Sequence, residues 1–402
     1  MKKHILLCAA LALSSFGLPS CSDILDQKPL DSYTDTAVWG DLSLAESFLN
    51  YCYLRVEAEN TNGVMFCNYT DETYHMHDYG TSTYTQGRAS CDNYNTGWTE
   101  GKGNTWSHYY GGIKLCNQLL EDIMDTPANT DSEKEWKNQI IGQGYFLRAY
   151  YYHMLYSVYG RIPLIDHTYD LDSEFKEERA DMDDVADFIV ADCDKAAELL
   201  PTVYKDASDF GRATKGAALA LKGRVLLYKA SPLFGTPSRE KWQAAADANK
   251  AVIDMNIYSL KQVSNSDEYA DLFFDSKNPE VIFEKLYDEK GIAGSSASLV
   301  MQAPAGPGNG YEGWSTWQPT YEIVELFQNA DGTPYKPAET KPFTILQTTI
   351  DPDSGEATQK EVTIQASDVN PWEGREIRLK ANILYDGMLW GYGDSNREIE
   401  LF

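Results

Sequence analysis

The feature that most constrains this chain is a succession of segments whose apolar side chains recur at helical spacing. Between Asn104 and Met124 they are Trp106, Tyr109, Tyr110, Ile113, Cys116, Leu120 and Ile123. That i, i+3, i+4 rhythm predicts an amphipathic helix with one buried stripe. Asp131-Ser132 with Glu135 reads as a capping box and opens a second helix through Trp136, Ile140, Tyr145, Ala149, Tyr152 and Leu155. Gly160 and Pro163 end it. A third helix is expected from about Met182 to Leu200, stopped by Pro201. A fourth runs from about Ala213 to Lys229, and small residues at Gly216, Ala217, Ala220 and Gly223 let neighbouring backbones approach closely. A fifth runs from Lys241 to Asp254 with Trp242, Ala245, Ala248 and Val252 on one side.

Paired helices with small residues at their crossings resemble tetratricopeptide-type hairpins. The expected fold class is therefore mostly α: a tetratricopeptide-like scaffold over residues 41–290, beside a loop-rich, partly β part over 291–402. Two stretches interrupt the helical rhythm. Residues 60–103 carry Tyr69, Tyr74, Tyr79, Tyr84, Tyr94 and Trp98 among Gly, Thr, Asn and Asp. Residues 291–319 carry Tyr311, Trp314 and Trp317 in a run of Gly, Ser, Ala and Pro. Loops of this length are functional or disordered as a rule, and their aromatic content argues against disorder. Phe343 to Ile350 and Ala357 to Ile364 read as strands joined by a turn at Asp351-Pro352-Asp353-Ser354-Gly355.

Charge narrows the function. Lys plus Arg number 34 against 61 Asp plus Glu, a net −27. Such a field repels phosphate backbones and argues against nucleic-acid partners. At the N-terminus, Lys2 and Lys3 precede an apolar run from Ile5 to Gly17, the pattern of an export signal over residues 1–20. Leu18-Pro19-Ser20-Cys21 resembles a bacterial lipobox, which makes Cys21 the expected lipidation site, with residues 21–40 as a polar leash. Setting Cys8 and Cys21 aside leaves Cys52, Cys67, Cys91, Cys116 and Cys193. This is an odd set without a CxxC spacing. Buried thiols are expected, with room for one disulfide.

No strong catalytic motif is present: no G-x-S-x-G, P-loop, H-E-x-x-H or dinucleotide fingerprint. No catalytic residues, cofactor or metal site are expected. His75-x-His77-Asp78, joined by Asp71 or His108, is the one arrangement with metal-ligand character, because residues 75 and 77 of an extended segment face one side. The aromatic loops are the stronger signal. The chain has 27 Tyr and 9 Trp beside 14 Phe, and side chains with an apolar face and a polar tip suit wet contact surfaces. For any single Tyr the core is the better expectation, and Trp106, in helical register, belongs there. Sugar rings offer flat C–H faces to such rings and hydroxyls to Asn, Asp, Gln and Arg. The expected ligand-binding residues are Trp98, Tyr84, Tyr94, Asn95 and Arg88 in the first stretch and Tyr311, Trp314 and Trp317 in the second.

One segment carries a specific resemblance. Gly211-Arg212-Ala213-Thr214-Lys215-Gly216-Ala217-Ala218-Leu219-Ala220-Leu221-Lys222-Gly223-Arg224-Val225-Leu226-Leu227-Tyr228, followed by Ala230-Ser231-Pro232-Leu233-Phe234, resembles the signature helix of the SusD/RagB family. Leu147 to Tyr152, Tyr159 to Leu164, Asn278 to Phe283 and Tyr321 to Gly332 agree in order. Asn370-Pro371-Trp372 stands where many members read Asp-Pro-Arg. The resemblance implies an outer-membrane, cell-surface lipoprotein without catalytic activity. It would capture oligosaccharide or polysaccharide beside a SusC-like TonB-dependent transporter, held to the outer membrane by a lipid anchor. A peptide-binding, RagB-like role is the alternative; a secreted glycosidase is a further one. Members usually continue beyond the pattern at Asn396 to Phe402, so a shortened C-terminus is expected.

Overall fold

The computed structural model describes residues 35–56, 66–75, 84–88, 90–91, 105–170, 172–286, 317–350, 357–366, 370–392 and 395–399. Its body is a stack of helices: α1 (Leu42–Tyr53), α2 (Thr105–Asp122), α3 (Asp131–Tyr159), α4 (Met182–Leu199), α5 (Lys215–Ala230) and α6 (Arg239–Asp254). From α2 to α6 each helix packs on the next in sequence, and α1 lies against α2 and α3. This neighbour-on-neighbour stacking is the architecture of a helical-repeat scaffold. Among the described residues, no helix is long and apolar enough to cross a membrane.

Local chemistry explains the helix ends. The capping box of α3 lies two residues before the expected Ser132–Glu135 pair: the Thr130 hydroxyl accepts from the Glu133 N–H at 3.1 Å. The Glu133 carboxylate in turn accepts from the Thr130 N–H at 2.8 Å. Thr130 is in extended conformation, as an N-cap must be, whereas Asp131 is already helical. Thr214 and Ser238 cap α5 and α6 through the N–H groups of Ala217 and Lys241. Gly160 closes α3 at φ 65°, a left-handed turn that glycine adopts without strain.

The core runs continuously from α1 to α5. Ala245 and Ala248 of α6 are buried as the spacing predicts, but Trp242 is 44% exposed. Close crossings depend on glycine. A Cβ at Gly112 of α2 would lie 2.7 Å from the ring of Tyr151 on α3, and one at Gly223 would lie 2.7 Å from the Asn249 side chain on α6. Tyr151 is fully buried, and its hydroxyl donates to the Cys52 carbonyl at 2.6 Å. It therefore has nowhere to move. Overpacking costs about 1–3 kcal/mol, against a helix-propensity gain of about 0.5–1 kcal/mol for Ala over Gly. Gly112→Ala is thus expected to lose about 1–2 kcal/mol net, read as a lower urea midpoint with unchanged slope.

The tyrosine surplus serves this core. Tyr109, Tyr151, Tyr152 and Tyr156 are buried, and many hydroxyls reach backbone carbonyls of neighbouring segments. Tyr110 donates to Pro163, Tyr152 to Ile165 and Tyr204 to Ala213. The tips hold loops while the rings fill the core. Trp106 packs against the same core, as its register predicts. Cys52, Cys116 and Cys193 are buried thiols, and the disulfide that the sequence had room for is not formed among the described cysteines.

Across the outside of α4, Asp183, Asp187 and Asp194 pair with Lys241, Lys229 and Lys222 of α6 and α5. Beside the helical stack, the described residues form three separate antiparallel strand pairs and the short helices α7 (Ser266–Asp271), α8 (Tyr321–Leu326) and α9 (Ile377–Asn382). Strands β3 (Lys341–Ile350) and β4 (Ala357–Ala366) form the expected hairpin, in register from Lys341↔Ala366 to Ile350↔Ala357. Strands β5 (Leu389–Tyr392) and β6 (Ser395–Glu398) form another. Arg375 organises this part from a buried position. It donates to the carbonyls of Val324 and Phe327 at 2.6 and 2.7 Å, closing the C-terminal end of α8, and its guanidinium lies 3.6 Å from the Tyr335 ring centroid.

Candidate functional site

The two aromatic stretches, far apart in sequence, are joined by a short antiparallel ladder. Strand β1 (Thr73–His75) belongs to the first stretch and β2 (Trp317–Pro319) to the second. Thr73 faces Pro319, Tyr74 faces Gln318 and His75 faces Trp317. Thr320 extends the join: its N–H donates to the Glu72 carbonyl at 2.9 Å and its hydroxyl to the Asp71 carbonyl. The same hydroxyl accepts from the Ile323 N–H and so caps α8. One residue thereby ties the strand pair to the helix that follows it.

Successive side chains of a strand point to opposite faces, and burial follows that rule here. Tyr74 is 51% exposed, and Gln318 opposite it is exposed too. On the other face His75 is fully buried. Trp317 is half-buried beside it, the two rings meeting edge-on with centroids 6.0 Å apart. The Trp317 indole nitrogen is itself buried. Tyr321, the first residue of α8, is 68% exposed just beyond the join. The outward face thus sets an aromatic ring beside a carboxamide. Such a pair can stack on the flat apolar face of a ligand ring while donating to and accepting from its polar edge.

Of the residues expected from sequence, Trp317 stands on the inward face of the join. Tyr84 is exposed in a turn closed by Gly87 at φ 65°, with Arg88 exposed after it. Tyr94, Asn95, Trp98, Tyr311, Trp314 and Cys21 lie outside the described residues. Sequence reasoning counted Tyr74 among the aromatics of the first stretch but did not pair it with Gln318. The available signal was the extended reading of the segment around His75, whose alternation turns Tyr74 outward once His75 is inside. Of the metal-like arrangement, His77 and Asp78 lie outside the described residues, and the His108 ring nitrogen lies 3.0 Å from the Arg55 carbonyl. Among the described residues, no group of His, Cys, Asp and Glu is placed to hold a metal ion.

A stack of helices, each packed on the next, beside a loop-rich part with short strand pairs defines a helical-repeat scaffold protein. A family profile described as starch-binding proteins associating with the outer membrane matches residues 23–227, and a SusD family profile matches residues 279–400. The chain belongs to the SusD/RagB family. It is 23% identical over 342 residues to SusD-like protein P38 of Formosa agariphila, covering 79% of this chain. It spans 61% of that relative's length. Among solved structures, a SusD-like protein of Bacteroides fragilis superposes with a TM-score of 0.72 at 24% identity, over 93% of this chain and 67% of that one. A SusD-like carbohydrate binding protein, also of Bacteroides fragilis, superposes with a TM-score of 0.65 at 22% identity, over 88% and 61% of the two chains.

Proposed function

We propose that this protein is a cell-surface lipoprotein that binds oligosaccharide or polysaccharide and delivers it to a SusC-like TonB-dependent transporter. Cys21 would carry the lipid anchor to the outer membrane. The observation that carries the ligand reading is the β1–β2 join, which gathers two aromatic-rich stretches and leaves Tyr74 and Gln318 facing outward. Trp98, Tyr94, Asn95, Tyr84, Arg88, Tyr311 and Trp314 belong to the same two stretches and are proposed as further contacts, whereas Trp317, on the inward face, would back the join. The family supports the binding role: its first profile is described as starch-binding and associating with the outer membrane, and a solved relative is described as carbohydrate binding. The −27 charge suits an uncharged polymer at the join better than a polyanion. In this reading the protein works by binding, without a catalytic step.

Calorimetry against a panel of neutral polysaccharides tests it. Tyr74 is exposed, so Tyr74→Ala is expected to leave the melting temperature unchanged. It should weaken binding by about 1–3 kcal/mol, the scale of losing one stacked aromatic ring. Unchanged affinity in this variant would reject the join as the site. Binding of peptides with no response to any glycan would move the chain to the RagB-like alternative.

A further inference from the structure

A second concavity lies on the scaffold, between α2 and the stretch after α3 formed by residues 165–170 and 172–175. Its volume is about 360 Å³, within the range of small-ligand sites. Trp106, Tyr110 and Lys114 of α2 form one wall, and His167, Tyr169 and Phe175 form the other. The spacing of the first three, four residues apart, places them on one helix face.

The walls are held in advance of any ligand. Asn117 donates to the carbonyls of Ile165 and His167, each at 3.0 Å, and Tyr110 donates to Pro163 at 2.7 Å. The Glu121 carboxylate accepts both the N–H and the hydroxyl of Thr168. On the opposite wall, ring centroids of His167 and Tyr169 are 4.9 Å apart, and those of Tyr169 and Phe175 are 6.0 Å apart. Phe175 is 59% exposed at the mouth.

Nearly every polar group around this groove is already engaged. Asn117 is used three ways, since its carbonyl oxygen also accepts from Arg148. Thr168 is held by Glu121. His167 lies 3.2 Å from Asp166 and 3.8 Å from Glu177, so those carboxylates face it. The buried Tyr169 hydroxyl, which has no hydrogen-bond partner, is one exception, and Lys114 is another. Its ammonium has no hydrogen bond or ion pair among the described residues, and it is exposed at the rim beside the rings. A second cation, Arg179, sits 5.6 Å over the Trp106 ring. In a chain of net charge −27, an unpaired ammonium at the edge of an aromatic groove marks where a ligand anion would be received.

The geometry points to a second saccharide site here, for a sugar ring bearing a carboxylate: a hexuronic acid unit whose C–H faces lie between the aromatic walls and whose carboxylate meets Lys114. The choice of a sugar rests on the carbohydrate reading above; the location and the anion requirement do not. Calorimetry of the full chain with tri-galacturonate, and with maltotriose as the neutral counterpart, tests it. Tri-galacturonate should bind and maltotriose should not compete with it. Lys114→Gln should weaken tri-galacturonate by about tenfold or more, the scale of a lost charge-assisted hydrogen bond. Lys114→Arg should retain binding, and Phe175→Ala, at an exposed position, should weaken it. Raising salt to about 1 M, where the screening length falls to about 3 Å, should weaken it too. Tyr74→Ala should leave this binding untouched. The inference fails if Lys114→Gln binds within about twofold of the parent, if maltotriose competes equally, or if only a peptide ending in an aromatic residue occupies the groove. Loss of tri-galacturonate binding alongside intact, Tyr74-dependent binding of neutral glycan would remove this site and leave the main reading standing.

Discussion

Asp192→Asn is expected to destabilise the fold by about 3–5 kcal/mol, because it strands a buried guanidinium. Arg148 of α3 and Asp192 of α4 retain 6% and 2% of their side-chain exposure. They meet as a fork: Nε donates to Oδ2 at 2.7 Å and Nη2 to Oδ1 at 2.9 Å. Nη1 of Arg148 donates to the Asn117 side-chain oxygen at 2.9 Å and to the Asp166 backbone carbonyl at 3.4 Å. The Phe188 and Tyr145 rings lie 5.2 and 5.4 Å from the guanidinium carbon. Burial pushes the Asp192 carboxyl up and the Arg148 hydrogen bonds pull it down. Arg148 stays charged at any ordinary pH, so the carboxylate is the group that balances it. An amide at 192 keeps one acceptor, turns a donor toward the guanidinium and removes the charge. Urea denaturation should show a lower midpoint at unchanged slope. The control is Arg148→Met with Asp192→Leu, which removes both charges and should recover most of the loss. A cost below about 1 kcal/mol for Asp192→Asn would mean that water reaches the pair and that the burial argument is wrong.

The second large effect is acid sensitivity at His153. This side chain is 4% exposed on α3, with the Tyr228 ring 5.3 Å away. Burial, with a smaller contribution from Arg224, lowers its pKa to about 4. An unfolded chain titrates the same imidazole near 6.5. Between those values the unfolded state binds the proton and the folded state does not. Stability is therefore full above about pH 6.5 and is lost as pH falls toward 4, at up to about 1.4 kcal/mol per unit, or about 3 kcal/mol over the window. His153→Phe removes this titration and no other. The difference in urea midpoint between parent and variant should shift steadily in the variant's favour from pH 7 to pH 4. Parallel curves would show that His153 opens to water before it protonates.

Much of the scaffold was legible because its signals are local. The stripe from Trp106 to Ile123, the stop at Gly160 and Pro163, and the Pro201 boundary each lie within a few residues of what they control. The observed ends of α2 to α6 fall within about two residues of those read from spacing, the usual fraying of such boundaries. Misreadings occurred where a local rule had two solutions. Thr130 and Asp131-Ser132 all suit an N-cap, and only the backbone shows that Thr130 is the extended one. Trp242 falls in the helical stripe of α6, yet lies where no neighbour covers it well. Helix α1 was not read at all, although Leu42, Ala45, Leu49 and Cys52 form its buried stripe.

The candidate site was legible only in part. The aromatic stretches stood out by composition, but β1 and β2 are three residues each, too short for a periodicity to show. Their pairing decides that Tyr74 faces out and Trp317 faces in, and a slip of one residue would exchange the faces.

From the residues alone one could know that this chain stacks helices, ends them where it does, and bears the signature helix of its family, because helical hydrogen bonds and caps close within a single turn. Only the folded molecule could decide that Arg148 meets Asp192 and that two distant aromatic stretches share one ladder. Those contacts depend on which surfaces are brought together, and no short-range pattern records that.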